Sequence, residues 1–314
     1  MRSCISYMKR ASNTAAHGKL LLTGEYLVML GATALAMPVK FGQRMAVRRD
    51  PDTMLRWTSV VRGKVWFTAR FDPDGFRVAE ASDLQVARRL RKLLLAAQKQ
   101  NTSFSGETAG CHVTILADYP LEWGLGSSST LLFLVARWAG ADPFTLHHAV
   151  SDGSGYDVAC AGSKGPIFYT LTGRIPVIEP AVTGGALRRS TRFVFLGRKQ
   201  DSAAEISAFR AAGKCTAGDL ETVSRLSWEI SRTESADELV RMVGEHNSIL
   251  AAILKREPLG SRLPAFPGAA KYLGAWGGDF AMFASTLEPA ALDRHIRRMG
   301  FTRIFTYDKL EAKA

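Results

Sequence analysis

Long apolar runs are missing from this sequence. The most apolar stretch, residues 131–135, is followed closely by Arg137, far short of the roughly 20 residues a membrane helix needs. Cysteine is scarce: four in 314 residues, at 4, 111, 160 and 215, with neither CxxC nor metal-ligand spacing. That excludes a disulfide scaffold and a zinc module, and free thiols suit a reducing cytoplasm. Residues 1–10 carry Arg2, Lys9 and Arg10 without an apolar core behind them, so no secretory signal is read there. Internal repeats and low-complexity tracts are absent. So is the GxxxxGK[ST] phosphate loop.

Acidic residues are also in deficit, 29 against 41 Lys and Arg, for a formal charge of +12. Such an excess suits nucleic acid, acidic membranes or anionic small molecules. Its two local concentrations have simpler readings. Arg88-Arg89-Leu90-Arg91-Lys92 follows Ser82-Asp83-Leu84-Gln85, a capping-box pattern, and alternates with apolar residues at helical spacing. Those arginines mark a solvated helix face. Residues 294–303 place cations near a helix end before Gly300, where they complement the dipole. Neither nucleic acid nor membrane is expected as a partner, and the oligomeric state is not readable. With 46% apolar and 22% charged residues, the chain is of ordinary globular composition, long enough for one large or two medium domains.

The most informative stretch is Pro120-Leu121-Glu122-Trp123-Gly124-Leu125-Gly126-Ser127-Ser128-Ser129-Thr130. It lies between a strand pattern, residues 111–117, and an apolar helical run from Leu131. Glycines let a backbone turn sharply and approach a ligand closely, and the first amides of a helix favour anions. Serine hydroxyls can add donors to phosphate or an oxygen ligand to Mg²⁺. Taken alone, the stretch reads more simply as a Ser-capped helix after a glycine turn.

Three further stretches stand out. Residues 18–28, Gly18-Lys19 through Gly24-Glu25-Tyr26-Leu27-Val28, read as two short β segments joined at Thr23-Gly24-Glu25. Lys19 opens an apolar strand, either snorkelling to solvent or meeting an anion. Asp157, after Gly153-Ser154-Gly155-Tyr156, either caps a helix starting near Val158 or offers a carboxylate to a substrate hydroxyl. Residues 271–283 form a second glycine loop, with Ala275-Trp276-Gly277-Gly278-Asp279, leading into an apolar strand; a hairpin turn explains it locally. Mixed strands and helices with few βαβ repeats indicate an α+β fold. A boundary is expected at Gly184-Gly185, and helices near 203–211, 220–230 and 237–254.

Together, the stretches at 18–28, 120–130 and 271–278 resemble, in order and spacing, the three motifs of the GHMP kinases, and PxxxGLGSSS is the most specific. The resemblance covers nearly the whole chain. It implies a GHMP kinase fold with a ribosomal-protein-like N-terminal half, residues 1–185, a ferredoxin-like C-terminal half, residues 186–314, and ATP and substrate between them. The GK…GEY pattern, the Gly155-Tyr156-Asp157 segment and Gly277-Gly278-Asp279 are similar to phosphomevalonate kinases and to bacterial GHMP kinases with a GYDIA-like segment. Two departures are visible. Trp276 stands where the third motif usually has Gly, and the stretch Leu146-His147-His148-Ala149 has no Glu to hold Mg²⁺.

The resemblance further implies ATP phosphates along Gly124, Leu125, Gly126, Ser127, Ser128 and Ser129, with Ser128 on Mg²⁺. It makes Asp157 and Lys19 the catalytic pair. Glu25, Tyr26, Gly155, Tyr156, Ala275, Trp276 and Gly277 fall on the acceptor side. Phosphomevalonate is the expected acceptor, then mevalonate, then a sugar or homoserine. A diphosphomevalonate decarboxylase, a GHMP-fold sensor that binds without turnover, and an RNA-binding protein are the alternatives.

Overall fold

The computed structural model describes residues 12–197, 202–212 and 215–313. The segment read for a secretory signal, and Cys4, lie outside them. The chain divides into two compact units. One holds residues 12–16, Gly42–Pro120 and Thr130–Ser151, and the other His17–Phe41, Leu121–Ser129 and the residues from Asp152 onward.

In the first unit, strand period and helix period are both written plainly. The strands are β1 (Ser12–Leu21), β2 (Ala34–Arg49), β3 (Leu55–Val61), β4 (Lys64–Asp72), β5 (Arg77–Ala81) and β6 (Cys111–Ala117). The first two continue into the second unit. Alternation puts Leu55 and Trp57 of β3, Phe67 and Phe71 of β4, and Val113 and Ile115 of β6 inward. The order is β5-β4-β3-β6-β2, with β3 parallel to β6 and the other pairs antiparallel. Helix α1 (Leu84–Gln100) buries Ala87, Leu90, Leu94 and Ala97 at helical spacing, and its basic residues face solvent. Its cap is Asp83, which accepts from the amides of Gln85 and Val86, one residue beyond the expected Ser82. Helices α2 (Phe104–Thr108), α3 (Ser127–Ala139, which begins in the second unit) and α4 (Pro143–Val150) complete it, and Phe104 packs on Trp138 at 4.9 Å.

In the second unit, α5 (Tyr156–Gly162) precedes β7 (Ile167–Thr172) and β8 (Ile175–Pro180). β7 pairs with Ala34–Ala36 at the start of β2 and with β8. After α6 (Gly185–Arg189) comes a smaller antiparallel sheet. Its strands are β9 (Thr191–Phe195), β10 (Ala269–Leu273), β11 (Phe280–Ala284) and β12 (Ile304–Phe305), in the order β10-β11-β9-β12. Helices α7 (Ser202–Ala212), α8 (Ala217–Arg232) and α9 (Ala236–Leu254) occupy the long connection between β9 and β10. Helix α10 (Pro289–Arg298) follows β11, and α11 (Tyr307–Leu310) follows β12. Val223, Leu250, Phe283, Leu292 and Ile296 share one buried cluster there. Mixed sheets with segregated helices make the fold α+β, as the sequence indicated. Among the described residues, no helix is long and apolar enough to cross a membrane. Cys111, Cys160 and Cys215 are free thiols.

One local expectation is overturned. Residues 24–30 do not form a second β segment after Thr23-Gly24-Glu25: the chain turns, and Leu27–Leu30 is a 3₁₀ helix. Gly24 packs so tightly on Ala34 that a Cβ there would lie 2.8 Å from its Cα. Tyr26 adopts φ 62°, a conformation no strand accepts, and Leu27 and Val28 are buried.

Candidate active site

Apart from Pro120 and Thr130 at the ends of the middle stretch, the residues of the three motifs fall in the second unit. Gly18 of β1 sets the first contact. A Cβ there would lie 2.7 Å from Leu125 O and 2.9 Å from Phe41 O, so only glycine lets β1 approach the serine-rich bend. The Lys19 amide then donates to Leu125 O at 3.0 Å, and Lys19 Nζ donates to Gly124 O at 3.2 Å. Leu125 is fully buried and anchors the bend between Gly124 and Gly126, both at positive φ. Ser129 Oγ donates to Gly126 O at 2.9 Å. Helix α3 starts at Ser127, so the serines form its first turn rather than precede it. Ser128 is exposed. A long helix beginning on a glycine bend, with an ammonium beside it, offers a cradle for anionic oxygens.

Asp157 lies in the first turn of α5, entered through Gly155 at φ 85°. Its Oδ1 accepts from Val158 N at 3.0 Å. Lys19 Nζ sits 5.7 Å from the centre of the Tyr156 ring. Below them Cys160 is fully buried. Burial pushes its thiol far up, Asp157 pushes it further, and Lys19 pulls it back. Because Tyr156 precedes Asp157 in the first turn of α5, the position of Lys19 Nζ over its ring brings residues 19 and 157 to the same locality. Among the described residues no ion pair joins them. A carboxylate and an ammonium held apart beside an anion cradle can flank a hydroxyl and the phosphoryl group it attacks.

The third loop joins β10 to β11, an antiparallel hairpin in which Leu273 pairs with Phe280. Inside β10 lies Lys271, fully buried, with Nζ donating to Glu25 Oε1 and, at 2.7 Å, to Leu22 O. Glu25 is 2% exposed, and its Oε2 lies 3.6 Å from His246 Nε2. Gly24 N donates to that same Nε2 at 2.9 Å, which fixes His246 as a neutral acceptor there. Burial raises the Glu25 carboxyl and Lys271 opposes it. Burial lowers Lys271 against the pull of Glu25. His246 is pulled well below its ordinary 6.5 by burial and then by the Lys271 charge. Tyr26 Oη accepts from Trp276 N at 2.6 Å and donates to Glu205 Oε2 at 3.3 Å. The Trp276 ring is 8% exposed and packs 5.5 Å from Tyr272. Glu25, Tyr26 and Trp276, expected on the acceptor side, thus turn into the protein and tie the first loop to the third. Ala275, Gly277 and Tyr156 stay partly exposed.

His246 gives a pH dependence of definite sign. Its folded pKa lies below the unfolded one, so the unfolded state binds the extra proton under acid conditions. The stability it contributes is full above about pH 6.5 and is lost as pH falls, by about 1.4 kcal/mol per unit. Glu25 has the opposite sign above its ordinary 4.5, but it is common to both proteins when wild type is compared with His246→Gln. Urea unfolding between pH 5 and 7 should show the wild type losing stability faster than the variant on acidification. Parallel pH profiles would refute the buried neutral imidazole.

His246 was not identified from sequence as part of the site, and Lys271 and Asp279 entered only as members of the third stretch, without roles of their own. The available signal was Lys271 itself, a lone charge among Ala270, Tyr272 and Leu273 in an apolar strand. Among the described residues no group of three or more His, Cys, Asp or Glu is placed to hold a metal ion. The faces of Gly124 and Gly126 are filled by Asp279, Lys19 and Ser129, so the exposed hydroxyl of Ser128 is the oxygen the bend offers to a hard cation carried on phosphate.

No known protein family and no curated protein matches the sequence. Solved structures do match along nearly all of it. The phosphomevalonate kinase of Streptococcus pneumoniae, in complex with phosphomevalonate and AMPPNP, is 16% identical with a TM-score of 0.70, covering 94% of this chain and 99% of its own. The mevalonate kinase of Methanococcus jannaschii is 13% identical with a TM-score of 0.67, covering 98% and 100%. The galactokinase of Lactococcus lactis, complexed with galactose, is 11% identical with a TM-score of 0.63, covering 97% and 94%. These structural neighbours are GHMP kinases, and the fold of this chain is theirs.

Proposed function

We propose that this chain is a GHMP-type kinase that transfers the γ-phosphoryl group of ATP to a small anionic acceptor, phosphomevalonate before mevalonate, and those before a sugar or homoserine. The observation that carries the reading is the double hold of Lys19 on the Gly124–Leu125 bend, with its Nζ over the ring of Tyr156, the residue before Asp157. ATP phosphates lie along residues 124–129, in the first turn of α3. Asp157 orients the acceptor hydroxyl and takes its proton, while Lys19 offsets charge on the migrating phosphoryl group. Phosphoryl transfer relies on such positioning and charge stabilisation more than on a strong base. Ser128 is the residue that would hold Mg²⁺, which when bound neutralises triphosphate charge. Glu25, Tyr26 and Trp276 contribute by fixing the loops, and Gly155, Tyr156, Ala275 and Gly277 line the acceptor side. In this reading residues 1–185 form the ATP-binding half, residues 186–314 the second half, and the enzyme works in the cytoplasm. The excess of Lys and Arg suits an anionic acceptor.

An ATP-coupled screen of phosphomevalonate, mevalonate, homoserine and common sugars tests this. ADP release that depends on phosphomevalonate is the expected result. Nucleotide binding without release for any acceptor would instead mean a ligand sensor, and CO₂ release from diphosphomevalonate a decarboxylase.

A further inference from the structure

Lys19 and Asp157 carry opposite charges in one locality, and a direct contact between them would be attractive. It would also spend both groups on each other and leave neither for a hydroxyl or a phosphoryl oxygen. The course of the lysine side chain accounts for their separation. Its stem runs over Gly126, where a Cβ would lie 3.2 Å from Lys19 Cγ and 3.5 Å from Cε. Its head donates to Gly124 O at 3.2 Å. The same Nζ stands 5.7 Å from the centre of the Tyr156 ring, within the range of a cation–π contact. On the third loop Gly274 turns at φ 74°, and a Cβ there would lie 4.0 Å from Lys19 Nζ. A carbonyl, an aromatic ring and a glycine surround the ammonium.

Tyr156 and Asp157 are consecutive in the first turn of α5, so their side chains leave the helix about 100° apart. Neighbours in sequence do not face each other on a helix. An ammonium seated over the ring is thereby kept off the carboxylate, whose Oδ1 already accepts from the Val158 amide. The Gly124 carbonyl takes one of the three ammonium hydrogens, and an aromatic face attracts the charge without consuming a particular one. Donors are left for phosphoryl oxygens. We propose that Tyr156 is a positioning residue for Lys19, its ring holding the ammonium beside the bend and off Asp157 so that both charged groups stay available to the reactants. This rests on the kinase reading, and it gives the ring a task besides lining the acceptor side.

The test is a double-mutant cycle on the whole chain, read in single turnovers and at steady state with ATP, Mg²⁺ and phosphomevalonate. Tyr156→Leu should lose about 2–30-fold in kcat, the range expected for a lost cation–π contact. Tyr156→Phe, which keeps the ring, should recover most of that loss. In a Lys19→Met background Tyr156→Leu should cost little more, because the ring then has no ammonium to hold. Tyr156→Met is read in the same way should the leucine variant fail to fold. An equal loss with and without Lys19, a loss confined to the KM for the acceptor, or no rescue by Tyr156→Phe would overturn the positioning role and leave the kinase reading standing. A wild type that turns over no acceptor of the screen would overturn both.

Discussion

Asp157→Asn is expected to bind ADP as the wild type does and to lose about 10²–10⁴-fold in turnover with the acceptor, the usual loss for a positioned acid–base group. The amide is nearly isosteric and keeps an oxygen for the Val158 amide, so the first turn of α5 has no reason to move. What it loses is the capacity to take a proton and the negative charge facing the acceptor. Lys19→Met is the companion. It removes the donor to Gly124 O, and its turnover should fall as well. A change confined to the KM for nucleotide would assign Lys19 to holding ATP only. Turnover of Asp157→Asn near the wild-type value would remove Asp157 from the chemistry.

The second large effect is on stability. Lys271→Met should cost about 3–5 kcal/mol in urea unfolding, because it leaves the Glu25 carboxylate buried without its partner. Leu22 O loses its donor in the same step. Against a typical total of about 5–15 kcal/mol, that is a large fraction of the fold's stability. The double variant Glu25→Leu with Lys271→Met should be markedly more stable than Lys271→Met alone, since apolar replacement of a buried pair is often neutral. Equal loss in the single and double variants would show that packing around position 271, rather than charge pairing, sets the cost.

How much of this was readable beforehand follows the range of the interactions. The strand, bend and helix at 111–139 are local patterns; the glycines sit in the bend as read, while the serines open the helix instead of preceding it. The helix at 84–100 was evident from its period, with an error of one residue at the cap, where Ser82 and Asp83 compete. Tyr26 was misread because Leu27 and Val28 look like strand residues. Their turn is fixed by Glu25, whose partner is 246 positions away. Nothing local marks where the Trp276 ring goes either. Its amide bonds to Tyr26, 250 positions earlier, and the ring follows into the apolar cluster.

The contact between position 18 and the bend has a consequence for how this chain can change over time. Amide and carbonyl groups, which every residue type brings along, hold the lysine's strand to the cradle. Substitution of the side chains around them leaves that stitching in place, so long as the one position without a side chain keeps none. A site sewn from main-chain atoms can survive drift that erases nearly every other likeness.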